Sequence, residues 1–318
     1  MMGLALLAGM VMVQGAQKQR LNPVIGLLEQ GKPVFGLYVP SNRRFRGPGQ
    51  PPEVTQKSPA DLASEALGYK HADFIFDGAM EGGVDRAMPT FEPFVKALAA
   101  AGPFQKSPFV HLTHPLIIKT PEFGEGPAAF ARDVQRELNL GVSGVMFPGA
   151  ETAEQVRAGI AAMRFKSHGG TRPDDVGMAP AYWGLSEAEY KNKADLWPLN
   201  PDGELINWTI VESKEGLAHV REIAAVPGIG VLWPGAGTLR GVFTTTNAAG
   251  ERHFDEQGWE NAIQTVLSAC KEFKIACGFP ANEKDIEMRM KQGFSVFVMG
   301  WGDSGFKTVE MGKKLAGR

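Results

Sequence analysis

His111 and His114 stand three residues apart beside Pro115, and two carboxylates, Asp77 and Glu212, close other apolar runs of the chain. Two imidazoles and two carboxylates make a donor set for zinc, iron or manganese. The same four groups without an ion could orient a substrate and move protons, since imidazole titrates near neutrality. On a strand the two histidines would point to opposite faces, so sharing one ion requires the chain to turn after Leu112, which Pro115 permits. Arg172, after Gly169-Gly170, has the planar fork that grips a carboxylate through two hydrogen bonds, although a loop arginine also serves as a solvated or interface residue. Gly235, Ala236 and Gly237, just before Thr238, could offer backbone N–H groups to an oxyanion or simply make a tight turn. Trp301, with Tyr182, Trp183 and Trp197, either lines a pocket for a larger substrate or packs the loops that hold it. Arg43, Arg44 and Arg46 form a basic cluster, read as a solvated loop or an entry for an anion.

Positioning these groups requires a scaffold. Eight short runs rich in β-branched and aromatic residues recur along the chain: Val34 to Val39, Asp73 to Asp77, Pro108 to Leu112, Ser143 to Phe147, Trp208 to Glu212, Ile229 to Trp233, Ile275 to Phe279 and Ser295 to Met299. Segments of helical period separate them, which is the pattern of βα units in a parallel sheet. Ser58-Pro59-Ala60-Asp61 and Thr152-Ala153-Glu154-Gln155 read as helix starts, as does Asn282 with Asp285; Phe130, Val134 and Leu138 share one face of a helix that stops at Gly141. Eight units suggest closure into a (β/α)8 TIM barrel, in which chemistry sits where strands end. Asp77, His111, His114 and Glu212 are then expected to converge at the mouth. The stretch from about 166 to 206 is too long for a plain connection and reads as a functional or oligomer-building loop.

Composition narrows the function. The 318 residues include 39 glycines and 22 prolines, 43% hydrophobic and 21% charged residues, with 33 basic against 35 acidic side chains. This supports a large core with many sharp turns and gives no basic field for nucleic acid or an anionic membrane. No P-loop, G-x-S-x-G elbow or C-x-x-C is present, and Gly47-Pro48-Gly49 is not followed by a helix. A Schiff-base lysine would have to end a strand, and the nearest candidate, Lys119, reads as already in a loop. Cys270 and Cys277 read as buried free thiols. Leu4 to Val13 is a short apolar run followed by a Val13-Gln14-Gly15 cleavage-like site, too short to span a bilayer. Residues 1–17 thus read as a signal peptide before one domain from 18 to 318, placing the protein in the periplasm or outside the cell; a misassigned start or a packing helix, with a cytoplasmic protein, is the other reading.

The segment Trp208-Thr209-Ile210-Val211-Glu212-Ser213, then Gly216-Leu217, Ile223-Ala224-Ala225-Val226-Pro227-Gly228-Ile229 and Gly235-Ala236-Gly237-Thr238-Leu239 resembles the HpcH/HpaI aldolase and citrate lyase family of the phosphoenolpyruvate/pyruvate barrel superfamily. Ala72 to Gly78, Asn139 to Pro148, Gly170-Thr171-Arg172 and Gly293 to Gly300 with Asp303 extend the resemblance over most of the chain beyond about Val34. It implies a carbon–carbon lyase acting on a 2-oxo acid or related small carboxylate, a divalent metal (Mg, Mn or Zn), and a homo-oligomer, a trimer or hexamer in which neighbours exchange or contact a helix near the carboxyl end. In the family a glutamate and an aspartate hold the metal; Glu212 matches the first and Thr238 occupies the second. Ala79 and Met80 occupy the places of an acid and a catalytic histidine, Asn139 that of an acidic residue, and His111 aligns with an arginine that ends the third strand. The expected site therefore has His111, Arg172 and Asp77 in catalysis, Glu212 and His114 on a metal, and Gly235, Ala236, Gly237, Thr238 and Trp301 on substrate. Two alternatives remain beside it: an exported binding protein without catalysis, and a hydrolytic or elimination enzyme at a histidine-bound metal.

Overall fold

The structure, a computed structural model, describes residues 18–42 and 56–318. The apolar run Leu4 to Val13 and the cluster Arg43, Arg44 and Arg46 lie outside the described residues. Eight parallel strands close a ring: β1 (Val34–Tyr38), β2 (Phe74–Asp77), β3 (Leu116–Lys119), β4 (Gly144–Phe147), β5 (Leu205–Val211), β6 (Ile229–Pro234), β7 (Ala276–Pro280) and β8 (Val296–Met299). Closure is made by β1 against β8, with Val34 opposite Val296 and Leu37 opposite Met299. The third strand is the correction to the expected order. Leu116-Ile117-Ile118 is a continuous buried run, as strands covered on both faces are, whereas His111–Leu112 forms only a short antiparallel bridge to Phe104–Gln105.

The interior is packed with rings. Trp208 stacks on Trp233 at 5.5 Å and on Phe76 at 6.2 Å, and meets Phe74 edge-on. Room for these rings comes from glycines on neighbouring strands: a Cβ at Gly36 would stand 2.1 Å from the Phe74 ring, and one at Gly278 would stand 1.9 Å from Trp233. The helix Pro23–Glu29 presses Val24 and Ile25 into this same interior cluster and so closes the N-terminal end of the barrel. It is fixed there by Arg20, which is buried, pairs with Glu29 and lies 3.6 Å from Glu204, while the backbone N–H of Asn22 donates to Glu204. The outer helices form a second apolar layer around the ring. Capping boxes at Ser58 and Thr152 stand where the spacing places them, and Phe130, Val134 and Leu138 line the buried face of the helix Pro127–Leu138.

The stretch between 166 and 206 is folded rather than loose. It contains helices Ala179–Trp183 and Glu187–Lys193 and the strand Leu196–Trp197, which pairs with β5. Tyr182 and Trp183 are buried, their polar tips donating to the carbonyls of His114 and Gly141, so these aromatics pack the scaffold. Cys270 and Cys277 are paired as a disulfide joining the helix Glu256–Phe273 to β7, not free thiols as expected; the short link between the two elements brings their Cα atoms to 5.6 Å. The last helix, Asp303–Leu315, packs on the barrel, Phe306 stacking on Tyr69, and Arg318 just beyond it pairs with Asp73. No helix among the described residues is long and apolar enough to cross a membrane.

Gly278→Ala should force Trp233 from its stack and lower stability by roughly 1–3 kcal/mol, as overpacking does. Gly241→Ala, where an added Cβ meets nothing within 4 Å in the helix Ala236–Val242, should be neutral or gain up to about 1 kcal/mol. Denaturant unfolding of both variants checks the pair, and equal effects would show that the glycines do not set the interior packing.

Candidate active site

At the C-terminal end of the ring, side chains from four strands and their loops come together, with backbone from the loops after β4 and β6. Lys119, the last residue of β3, places Nζ 2.6 Å from Glu81 Oε1 and 3.9 Å from Glu212 Oε1. Glu212 follows β5, is 5% exposed, and accepts the backbone N–H of Gly149 at 3.0 Å from the loop after β4. It lies so close to Gly235 that a Cβ there would stand 2.5 Å from its Oε2, which explains why this turn after β6 carries glycine. Asp77 ends β2 and accepts the N–H of Ala79 at 2.6 Å, opening the short turn Ala79–Gly82 that carries Glu81 out to Lys119. Tyr38 ends β1, is 44% exposed, and stands edge-on to Phe76. Burial of its phenol, followed by the negative charges of Glu81 and Asp77, pushes its pKa up, so the hydroxyl keeps its proton through the neutral range.

Three expected site residues lie at the opposite end. Because β3 is Leu116–Lys119, His111 and His114 precede the strand and sit on the N-terminal side. His111 lines a cleft of about 410 Å³ with Lys18, Arg20 and Phe109, and its Nδ1 contacts the Phe109 carbonyl at 2.9 Å. His114 is buried, with Nε2 on the Tyr69 carbonyl and Nδ1 on Thr113 Oγ1. Arg172 is 1% exposed, lies over the Phe165 ring at 4.3 Å and donates to Asn139 and Tyr190; its charge is spent where the 166–206 segment packs on Asn139 and Phe165 rather than at the mouth. The expected convergence of Asp77, His111, His114 and Glu212 is thus divided between two ends of the barrel, and no group of three His, Cys, Asp or Glu among the described residues is arranged to hold a metal.

The remaining expected residues stand nearer the mouth. The N–H of Gly235 donates to Val211, Ala236 is buried, and Gly237 and Thr238 are exposed in the first turn after β6. Trp301 follows β8, but its indole donates to Glu65 and its ring meets Tyr69 and Phe306, tying this loop to the helix Pro59–Gly68. Met80, at the position of the family histidine, is fully buried. Tyr38 and Glu81 were not singled out from the sequence, and Lys119 was placed in a loop. The three-residue apolar run Leu116-Ile117-Ile118 directly after Pro115 is the signal that locates Lys119 at a strand end.

A barrel whose charged groups meet at the C-terminal strand ends is an enzyme architecture. The model of the HpcH/HpaI aldolase/citrate lyase family matches residues 108–306, and the chain belongs to that family of carbon–carbon lyases. A hydroxypyruvate/pyruvate aldolase of Delftia acidovorans is 30% identical, over 83% of this chain and 80% of its own. An HpcH/HpaI aldolase/citrate lyase family protein of Burkholderia cenocepacia J2315 superposes with a TM-score of 0.62 at 23% identity, covering 92% of this chain and 98% of its own. The CitE protein of Mycobacterium tuberculosis, solved with magnesium and acetate, superposes with a TM-score of 0.51 at 16% identity, covering 91% and 92%.

Burial holds the His114 pKa below its usual value, against the pull of the Tyr69 carbonyl and with the help of the Lys70 charge. The unfolded chain, with histidine near 6.5, therefore binds the proton first, and stability is retained above about pH 6.5 and lost as pH falls toward the folded pKa. Unfolding at pH 7.5, 6.5 and 5.5 should show this slope, and His114→Gln should flatten it while costing about 1 kcal/mol at pH 7.5 for the altered hydrogen bonds. An unchanged slope would remove His114 as its source.

Proposed function

We propose that the protein is an aldolase that cleaves the bond between C3 and C4 of a 4-hydroxy-2-oxo acid, releasing an aldehyde and a pyruvate-type product. The observation that carries this reading is the meeting of Lys119, Glu81, Glu212, Asp77 and Tyr38 at the barrel mouth. Glu81, at the solvated rim, takes the proton from the C4 hydroxyl. The C3–C4 bond then breaks, the aldehyde leaves, and its electron pair enters the C2–C3 enolate. The Tyr38 hydroxyl gives its proton to C3 and recovers one from Glu81, which balances the cycle. Lys119 stands at the strand end where the family places an arginine, the position that His111 was expected to fill. The aldolase named among the relatives and the family itself support this chemistry.

The resemblance also implies a divalent metal, and the donor set here does not fit one. Glu212 has one oxygen engaged by Gly149 and an ammonium 3.9 Å away, and the second expected ligand is the neutral, exposed Thr238. No step is assigned to a metal. An exported homo-oligomer is part of the same proposal: the Cys270–Cys277 bridge supports an oxidising compartment, and light scattering at micromolar concentration should give more than one protomer.

Glu212→Gln should lower kcat/KM for release of pyruvate from 4-hydroxy-2-oxo acids by about 100-fold or more, with the far-ultraviolet spectrum and thermal midpoint nearly unchanged, because the amide keeps the Gly149 hydrogen bond but loses the charge beside Lys119. Full activity in this variant would place the reaction elsewhere, and no cleavage by the unmodified protein of any such acid would overturn the reading.

A further inference from the structure

Glu212 is a buried carboxylate, and the ammonium of Lys119 stands 3.9 Å from its Oε1. A divalent ion bound to Glu212 Oε1 at an ordinary ligand distance would lie within about 6 Å of that ammonium, and one on Oε2 within about 8 Å, where like charges repel in a site partly shielded from water. A second carboxylate would be needed to offset the repulsion, and the position expected to supply it is Thr238. Lys119 itself is largely covered, its side chain 13% exposed, so it is held in place rather than dissolved in solvent. Of its three N–H donors, Glu81 takes one at 2.6 Å. The Glu81 side chain is 46% exposed, so a carboxylate arriving from solution can displace it from Lys119, whereas Glu212 at 6% stays.

We propose that Lys119 is the resident cation of this site: its ammonium, seated on Glu212, binds the carboxylate and enolate oxygens of the 2-oxo acid in place of a divalent metal, and the incoming substrate releases Glu81 from the ion pair. This rests on the aldolase reading above and adds to it the source of the positive charge. The freed Glu81 carboxylate is then next to the substrate it must deprotonate, so binding and activation of the base are one event. The interaction is non-covalent, with the ammonium keeping its proton while it pairs with the substrate.

Oxalate, a planar dianion shaped like an enolate of pyruvate, is the probe, titrated by calorimetry into the full chain in buffer containing EDTA and again with millimolar Mg2+. The expected result is binding in EDTA that Mg2+ tightens by less than about 2-fold. Lys119→Met should weaken it by about 10-fold or more, Lys119→Arg should retain most of it, and Glu81→Gln should tighten it several-fold, because a competitor for the ammonium has gone. A merely structural lysine would not produce the opposite effects of the Lys119 and Glu81 variants. Oxalate binding that requires Mg2+, binding unaffected by Lys119→Met in a folded variant, or a pyruvyl adduct on Lys119 trapped by borohydride would each overturn the proposal. If Mg2+ proves necessary while pyruvate is still released from 4-hydroxy-2-oxo acids, the resident cation falls and the aldolase stands. If no such acid is cleaved, the aldolase reading falls, whatever oxalate does.

Discussion

Every strand of the ring runs in the same direction, and closure of β1 on β8 holds them in one register. That polarity decides which side chains can ever meet. A residue at the last position of a strand belongs to the mouth, and one a few places before the first position belongs to the far end, a separation of a strand's length that no rotamer bridges. Lys119 and His114 are five residues apart in sequence, yet β3 lies between them. The lysine therefore joins Glu81 and Glu212, while the histidine joins the carbonyl of Tyr69 and the hydroxyl of Thr113. The interior rings enforce the register: Phe74 and Trp233 fit only because Gly36 and Gly278 leave room beside them, so a slip of one strand would set a side chain into a ring.

The two ends differ in how their charges are used. At the far end Arg20 and Arg172 are buried with their partners, one closing the barrel through Glu29 and Glu204, the other under Phe165 and Tyr190, and these groups serve the scaffold. At the mouth the pairing is deliberately incomplete: Lys119 touches a rim carboxylate that solvent can reach and stands just beyond hydrogen-bond distance of a buried one. A buried carboxylate left without its cation costs several kcal/mol, so Glu212 and Lys119 hold each other in place before any ligand arrives. The phenol of Tyr38, kept protonated by burial and by Glu81 and Asp77, gives the same cluster a proton donor.

Much of this was legible from residue patterns. The β1, β2, β4, β6 and β8 runs stand where alternating apolar segments place them, and the capping boxes at Ser58 and Thr152 are local signals that need no tertiary information. Glu212 and Asp77 were recognisable because each ends such a run. The sequence reading takes Pro108 to Leu112 as the third strand because Leu116 to Lys119, beyond Pro115, is shorter and ends in a lysine; the pairing of the latter with Ile75 and Gly144 on both edges decides the matter. That one shift carried His111 and His114 to the wrong end and set Lys119 beyond the strand instead of at its last position. Arg172 departs from expectation for another reason: the 166–206 stretch reads as a loop from its glycines and prolines, whereas Phe165 and Tyr190 cover the guanidinium and Trp183 packs on Tyr190. Glu81 was invisible because its position depends on the short turn that Asp77 caps.

The central claim is that ligand chemistry belongs to the end of the barrel that holds Lys119 and Glu212 and not to the end that holds the histidines. Amide hydrogen exchange read by mass spectrometry, with and without saturating oxalate, tests it most directly. Protection confined to segments around 78–82, 119–122, 147–150 and 212–216 is the predicted result. Protection at 109–114 or within 166–200, with the strand ends unchanged, would contradict it.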